Sequence, residues 1–233
     1  MNYISTFFND LLHLLYPHAC AGCGSDIISE AQLLCVECSA GLPLTNFFDI
    51  NANPVEKIFW GRIPVIGAGS LVYFTKQSIM QRLLHLLKYR GNKEVGLYFG
   101  RRIAEDIMDS PRFGDIDVIV PLPLHLKKQR SRGYNQAEVI STGLAEKLKL
   151  PVVTNAVNRK RRTTTQTHMN RIDRWGNMEG KFELTRPQYL AGKHVLLVDD
   201  VITTGATLEA CGAEILKAEG CRLSIASVAY TSK

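Results

Sequence analysis

Val195-Leu196-Leu197-Val198-Asp199-Asp200-Val201-Ile202-Thr203-Thr204-Gly205-Ala206-Thr207 is the stretch on which the fold turns. Its four leading apolar residues read as a buried strand, because the run is too short for a helix. Two adjacent carboxylates, Asp199 and Asp200, stand at the C-terminal end of that strand. A Thr/Gly turn follows, and then a helical pattern from Leu208 to Ala218. In an open α/β sheet, ligands sit outside the carboxyl ends of the strands. A helix that starts there presents free N–H groups and the positive end of its dipole, which suits a phosphate. Thr203, Thr204 and Thr207 add hydroxyl donors, and Gly205 lets the backbone come close. The two acids repel phosphate; they suit vicinal hydroxyls or a phosphate-bound Mg²⁺. The pattern therefore fits a sugar phosphate, with the anion on the turn and the diol on the acids. The plainer alternative is a strand-turn-helix with an acidic cap. A cap, however, needs one acid and no Thr-Thr-Gly run. No Gly-Lys-Ser/Thr follows, which excludes a Walker loop.

All thirteen positions resemble the phosphoribosyl pyrophosphate (PRPP) motif of type I phosphoribosyltransferases. By that resemblance Asp199 and Asp200 take the ribose hydroxyls. The loop of Thr203, Thr204, Gly205, Ala206 and Thr207 takes the 5′-phosphate.

Upstream of this stretch, helix and strand alternate. Ile63 to Phe74 is strand-like, Ser78 to Tyr89 is a helix with Ser78 as its cap, and Val95 to Met108 is a second helix. Asp117 to Leu122 reads as a buried strand, Tyr134 to Leu148 as a helix blemished by Gly143, and Val152-Val153 as the start of a strand. Leu223 to Tyr230 completes the set. Alternation of this kind predicts a parallel or mostly parallel sheet. At 233 residues the chain has room for one such α/β domain and a small module. Asn51-Ala52-Asn53-Pro54 reads as linker, which divides the chain into residues 1–50 and 51–233.

No apolar run approaches the ~18 residues of a membrane span, so an integral membrane protein is not expected. Ile4 to Tyr16 is apolar on one side but carries Asp10 and His13, and lacks a basic start and a small-residue cleavage site. It reads as an amphipathic helix rather than a signal peptide, and a cytoplasmic protein is the expectation.

Cys20-Ala-Gly-Cys23 and Cys35-Val-Glu-Cys38 are two Cys-x-x-Cys pairs separated by eleven residues. Four soft ligands in two such pairs predict a closed, tetrahedral, structural Zn²⁺ site. The competing readings are redox motifs, which open a helix after a strand, and disulfides, which need an oxidising compartment.

Charge is uneven. From His125 to Arg174 there are twelve Lys/Arg and three Asp/Glu, a local +9; the remaining sixteen Lys/Arg and nineteen Asp/Glu sum to −3. Such a field favours a polyanionic small ligand or a nucleic-acid backbone. Two motifs lie in it. Pro121-Leu122-Pro123-Leu124-His125, then Arg130 and Arg132-Gly133-Tyr134-Asn135-Gln136-Ala137, join a strand end to a helix start. Arg130 and Arg132 are candidates for a second anion there, or plain surface charges. The second motif, with Arg159, Arg161, Thr163, Gln166, Arg174 and Asn177, is a polar stretch without apolar periodicity. It reads as a lid over the ligand, with Arg161, Thr163 and Gln166 as its candidate residues, or as a disordered surface loop.

Taken in order, these elements resemble one family. The two Cys-x-x-Cys pairs, Lys88-Tyr89-x-Gly91, the Pro-Leu-Pro-Leu-His block with Arg-Gly-Tyr-Asn-Gln-Ala, the Arg-x-Arg-x-Thr-x-x-Gln stretch and the PRPP motif occur together in the ComF/GntX family. The resemblance implies a type I phosphoribosyltransferase-like α/β fold, with a mostly parallel central sheet flanked by helices, behind a small N-terminal four-cysteine zinc module. It also implies pyrophosphate at Arg130 and Arg132, Mg²⁺ with PRPP, and for some members a role in natural DNA uptake. Two functions follow as expectations. One is a Mg²⁺-dependent transfer of a phosphoribosyl group with release of pyrophosphate. The other is a non-catalytic or PRPP-regulated competence factor that binds single-stranded DNA or uptake-machinery proteins.

Overall fold

The computed structural model describes residues 18–29, 32–160 and 180–232; the pattern over Ile4 to Tyr16 lies outside them. In chain order the strands are β1 (Ala68–Tyr73), β2 (Val118–Pro121), β3 (Val157–Arg159), β4 (Phe182–Leu184), β5 (His194–Ile202) and β6 (Arg222–Tyr230). The helices are α1 (Val36–Ala40), α2 (Pro54–Phe59), α3 (Ile79–Tyr89), α4 (Lys93–Asp109), α5 (Leu126–Arg132), α6 (Gln136–Leu148) and α7 (Ala206–Ile215). β1, β6, β5 and β2 form one sheet in that order, with every pair parallel. β3 and β4 form a separate antiparallel pair. Val152 makes a single parallel bridge to Ile119 where the sequence suggested a further strand.

The strands are apolar on both faces because both are covered. Leu196 and Val198 of β5 face one core, with Leu83 and Leu87 of α3, Phe99 and Ile103 of α4, and Ile140 and Leu144 of α6. Val195 and Leu197 face the other, with Val55 and Phe59 of α2 and Leu208, Cys211 and Ile215 of α7. Cys20, Leu34 and Leu42 belong to the first core. The cysteine segment is therefore packed on the α3–α4 side of the sheet, and the Ser39 hydroxyl lies 3.3 Å from the Tyr98 hydroxyl of α4.

Gly143 is a contact rather than a blemish. A Cβ there would stand 2.3 Å from the Leu97 carbonyl oxygen, and one at Gly100 would stand 2.1 Å from the Ile140 carbonyl oxygen. The two glycines let α4 and α6 meet backbone to backbone. The segment read as linker is likewise ordered. Asn53 caps α2 by accepting from the N–H groups of Val55 and Glu56, with Pro54 at the first helical position. The Asn53 amide donates to the carbonyls of Phe47, Ile50 and Ala68, so this turn fastens the segment before α2 to β1. Turn-forming residues mark a bend in either case; burial decides whether the bend is a joint or a tether.

Candidate functional site

β5 carries the two carboxylates further into the sheet than a short strand would. It continues to Ile202, pairing with β6 as far as Tyr230, whereas its pairing with β2 stops at Val198. Beyond that point the Leu122 N–H donates to the Val198 carbonyl and the two chains part. They part in opposite directions. The chain after β2 leads through α6, which packs on the first core, and the chain after β5 through α7, which packs on the second. Such a switch point leaves a crevice outside the strand ends.

The crevice is lined by Leu122, Pro123 and Leu124 after β2, Asp199 and Asp200 of β5, and Thr207 of α7. Lys88 of α3, Lys128 and Arg132 of α5, Asn135 to Ala137 around the start of α6, and Arg159 of β3 complete it. Between β5 and α7, Thr203 and Thr204 are exposed. Gly205 takes the left-handed conformation with φ 71°, and no side chain caps α7. The first-turn N–H groups of α7 thus remain open for an anion. A Cβ at Gly205 would lie 2.4 Å from Ile58 Cγ2, so the loop rests directly on α2.

The acids do not stand alone. The Lys88 ammonium lies 2.9 Å from Asp200 Oδ2, and Asp199 Oδ1 accepts from the Asp200 N–H at 2.8 Å. Burial, and then the neighbouring Asp200 charge, push the Asp199 carboxyl well above the usual carboxylate range, against the pull of Lys88 and Arg159. Arg159 is drawn down by burial and held up by Asp199. The Asp200 charge and burial both disfavour ionisation of Asp199, so a cation or a hydroxyl-rich ligand beside it would be stabilising.

Of the anion candidates, Arg132 lines the crevice, donating to Gln136 Oε1 at 2.7 Å, while Arg130 is exposed on α5 and does not line it. The connection itself holds α5, a helix the sequence reading missed. Both arginines fall in its last turn, closed by Gly133. The lid candidates Arg161, Thr163 and Gln166 lie outside the described residues. The stretch they belong to leaves from β3, whose Arg159 reaches the crevice, and returns at β4. Lys88, Lys128 and Asn135 were given no role from sequence. Lys88-Tyr89-x-Gly91 was the available signal, but a lysine ending a helix reads as an exposed charge until the helix is seen to point at Asp200. Asn135 works behind the site: buried, it caps α6 and donates to the Leu122 carbonyl at 3.0 Å, which sets the β2–α6 turn.

At the other end of α3, the Sγ atoms of Cys20, Cys23, Cys35 and Cys38 all lie within 4.8 Å of one another. A tetrahedral site with Zn–S near 2.3 Å has sulfur–sulfur edges of ~3.8 Å. Cys23 and Cys35 are 3.8 Å apart. N–H groups of Cys35, Cys38 and Ser25 point at the sulfurs of Cys20, Cys35 and Cys23. Burial disfavours the Cys20 thiolate, yet backbone N–H groups of Cys35, Cys23 and Gly22 outweigh it and bring that thiol down to about 6. Burial and the adjoining thiols push Cys38 up. The cluster fits a Zn²⁺ ion with four sulfur ligands and no open position.

No helix among the described residues is long and apolar enough to cross a membrane.

The chain is similar to several known proteins. A family model described as "Phosphoribosyl transferase domain" matches residues 100–233. The chain is 30% identical to competence protein F of Haemophilus influenzae over 201 residues, 84% of this chain and 83% of that protein. It is 31% identical to the DNA utilization protein YhgH of Escherichia coli over 129 residues, 54% of this chain and 56% of that protein. Competence protein ComFC of Bacillus subtilis is 28% identical over 138 residues, 58% of this chain and 52% of that one. The chain thus spans about half the length of the latter two. Among solved structures, glutamine PRPP amidotransferase from B. subtilis is similar over 61% of this chain and 30% of its own, at 17% identity and TM-score 0.43. On the domain match, and on an identity to competence protein F that runs through most of both chains, this protein belongs to the ComF family and carries a phosphoribosyl transferase domain.

Proposed function

We propose that this chain binds PRPP with Mg²⁺ and transfers its phosphoribosyl group to an acceptor, releasing pyrophosphate. The observation that carries the reading is the switch-point crevice, where the uncapped start of α7 stands beside the Asp199–Asp200 pair. The 5′-phosphate takes the N–H groups and hydroxyls of Thr203, Thr204, Gly205, Ala206 and Thr207. The ribose hydroxyls take Asp199 and Asp200. Pyrophosphate takes Arg132, with Lys128 beside it and Arg130 as a surface charge. Mg²⁺, when bound to the substrate phosphates, supplies neutralising charge for the leaving group. In the reaction the C1–O bond breaks with its electron pair going to pyrophosphate. A lone pair of the acceptor forms the new bond at C1, and its proton passes to solvent. The protein's own contribution is positioning and charge: Lys88 holds Asp200 in place, and Lys128, Arg132 and Arg159 stabilise negative charge that develops on the leaving oxygens. The stretch from Arg161 through Gln166 acts as the lid that keeps water from C1.

The Cys20, Cys23, Cys35 and Cys38 cluster holds a structural Zn²⁺ in this reading. The relatives' names, competence and DNA utilization, support a place in DNA uptake. They also favour a second reading, in which PRPP regulates a non-catalytic factor that binds single-stranded DNA or uptake proteins. Turnover of PRPP with a panel of bases and amines separates the two. Calorimetry with Asp200→Asn and Thr204→Ala tests the assignment common to both. Each lost charge-assisted hydrogen bond should weaken PRPP about ten- to a hundredfold. Equal affinity in wild type and both variants would remove it.

A further inference from the structure

The last turn of α3 brings aromatic and basic groups together in a way the linear charge count does not show. His85 and Tyr89 are one turn apart, with ring centroids 4.9 Å from each other. The Arg132 guanidinium, from α5, lies 5.5 Å over the Tyr89 ring. Between them runs a groove lined by Lys88, Tyr89, Lys127, Lys128, Ser131 and Arg132. It is continuous with the crevice, since Lys88, Lys128 and Arg132 line both. Among the described residues, no carboxylate pairs with Lys127, Lys128 or Arg132; the Arg132 contact is the neutral Gln136. Cations gathered without counter-charge raise the potential of the groove and draw an anion into it.

Tyr89 is 65% exposed at the end of a helix, although large aromatic surface is normally covered. An exposed ring flanked by an arginine and a histidine is a platform for a planar ligand ring. Pyrophosphate leaving the crevice has no use for such a platform, and Tyr89, Lys127 and Ser131 do not line the crevice. We propose that this groove is a second subsite that takes a nucleotide unit, with its base against Tyr89 and its phosphate among Lys127, Lys128 and Ser131. The unit comes either from a free mononucleotide or from a nucleotide within a single strand. The inference rests on the groove alone and stands whether or not the crevice binds PRPP.

The test uses the full chain with thymidine monophosphate and a short oligothymidylate as probes. Tyr89→Ala and Lys127→Ala change exposed side chains outside the crevice, so both variants should fold as the wild type does. Loss of a stacked base should weaken binding roughly five- to a hundredfold in Tyr89→Ala. Lys127→Ala should weaken it and reduce the salt slope of oligothymidylate binding by about 0.7. PRPP affinity, measured in parallel, should be unchanged in Lys127→Ala; Tyr89→Ala also removes the ring on which Arg132 rests and is read on the nucleotide probes alone. Comparable weakening for both probes identifies a mononucleotide site; weakening for the oligonucleotide alone identifies a strand. Binding of either probe that Thr204→Ala abolishes and these two variants leave intact would place the nucleotide in the crevice and overturn the proposal. So would failure of both probes to bind.

Discussion

Gly205→Ala tests the joint between the anion loop and the helix beneath it. Gly205 has φ 71°, which costs an L residue about 1–2 kcal/mol. The new methyl would also stand 2.4 Å from Ile58 Cγ2 and 3.1 Å from Phe59 Cε1, against a normal carbon–carbon separation of about 3.5–4.0 Å. Ile58 is only half-buried and can retreat, so the overlap should cost about 1–2 kcal/mol, at the low end of overpacking. The sum is roughly 2–4 kcal/mol, which for a chain of this length lowers Tm by about 4–16 °C. Ile58→Ala removes the clashing methyl but not the backbone strain. A double-mutant cycle followed by urea unfolding should therefore show a favourable coupling of about 1–2 kcal/mol, with the rest of the loss persisting. PRPP affinity should fall in Gly205→Ala, because the N–H groups of the turn move with its backbone. Wild-type stability and affinity in Gly205→Ala, or zero coupling to Ile58→Ala, would refute the reasoning.

Three further outcomes are expected. Purified protein should contain one Zn²⁺ per chain, and Cys35→Ser should lose it; because Cys20, Leu34 and Leu42 share the core of α3 and α4, this variant should also be less stable overall, read as a lower urea midpoint. Gly143→Ala gains about 1 kcal/mol of helix propensity but forces a methyl against the Leu97 backbone, so it should be net destabilising by about 1–3 kcal/mol in the same assay. The Asp199 carboxyl rises in the fold from 3.8 to about 8, so without divalent cation its contribution to stability is fully present below pH ~4 and is lost as pH climbs through about 8. Asp199→Asn should flatten that decline, and identical pH–stability curves for the two proteins would contradict it.

Local order in the chain was enough for much of this. The motif from Val195 to Thr207 declares a strand, two acids at its end and a turn into a helix, because each depends on neighbours a few residues away. The two Cys-x-x-Cys pairs declare a sulfur cluster for the same reason. Ser78 was legible as a cap, since it directly precedes the helical spacing that starts at Ile79. Contacts between distant segments were not legible. Gly143 looks like a weak point in a helix until α4 arrives at its backbone. Asn53 looks like a linker residue until Ala68 accepts from its amide. Lys88 is an ordinary terminal lysine until α3 is aimed at Asp200, and Tyr89 and Arg132, far apart in the chain, meet only when α5 folds beside α3. Sequence alone determined which chemistry is present, because residue type and short spacing specify it. The tertiary structure decided which groups share a site, because parallel strands and their crossovers bring together segments that no local pattern relates.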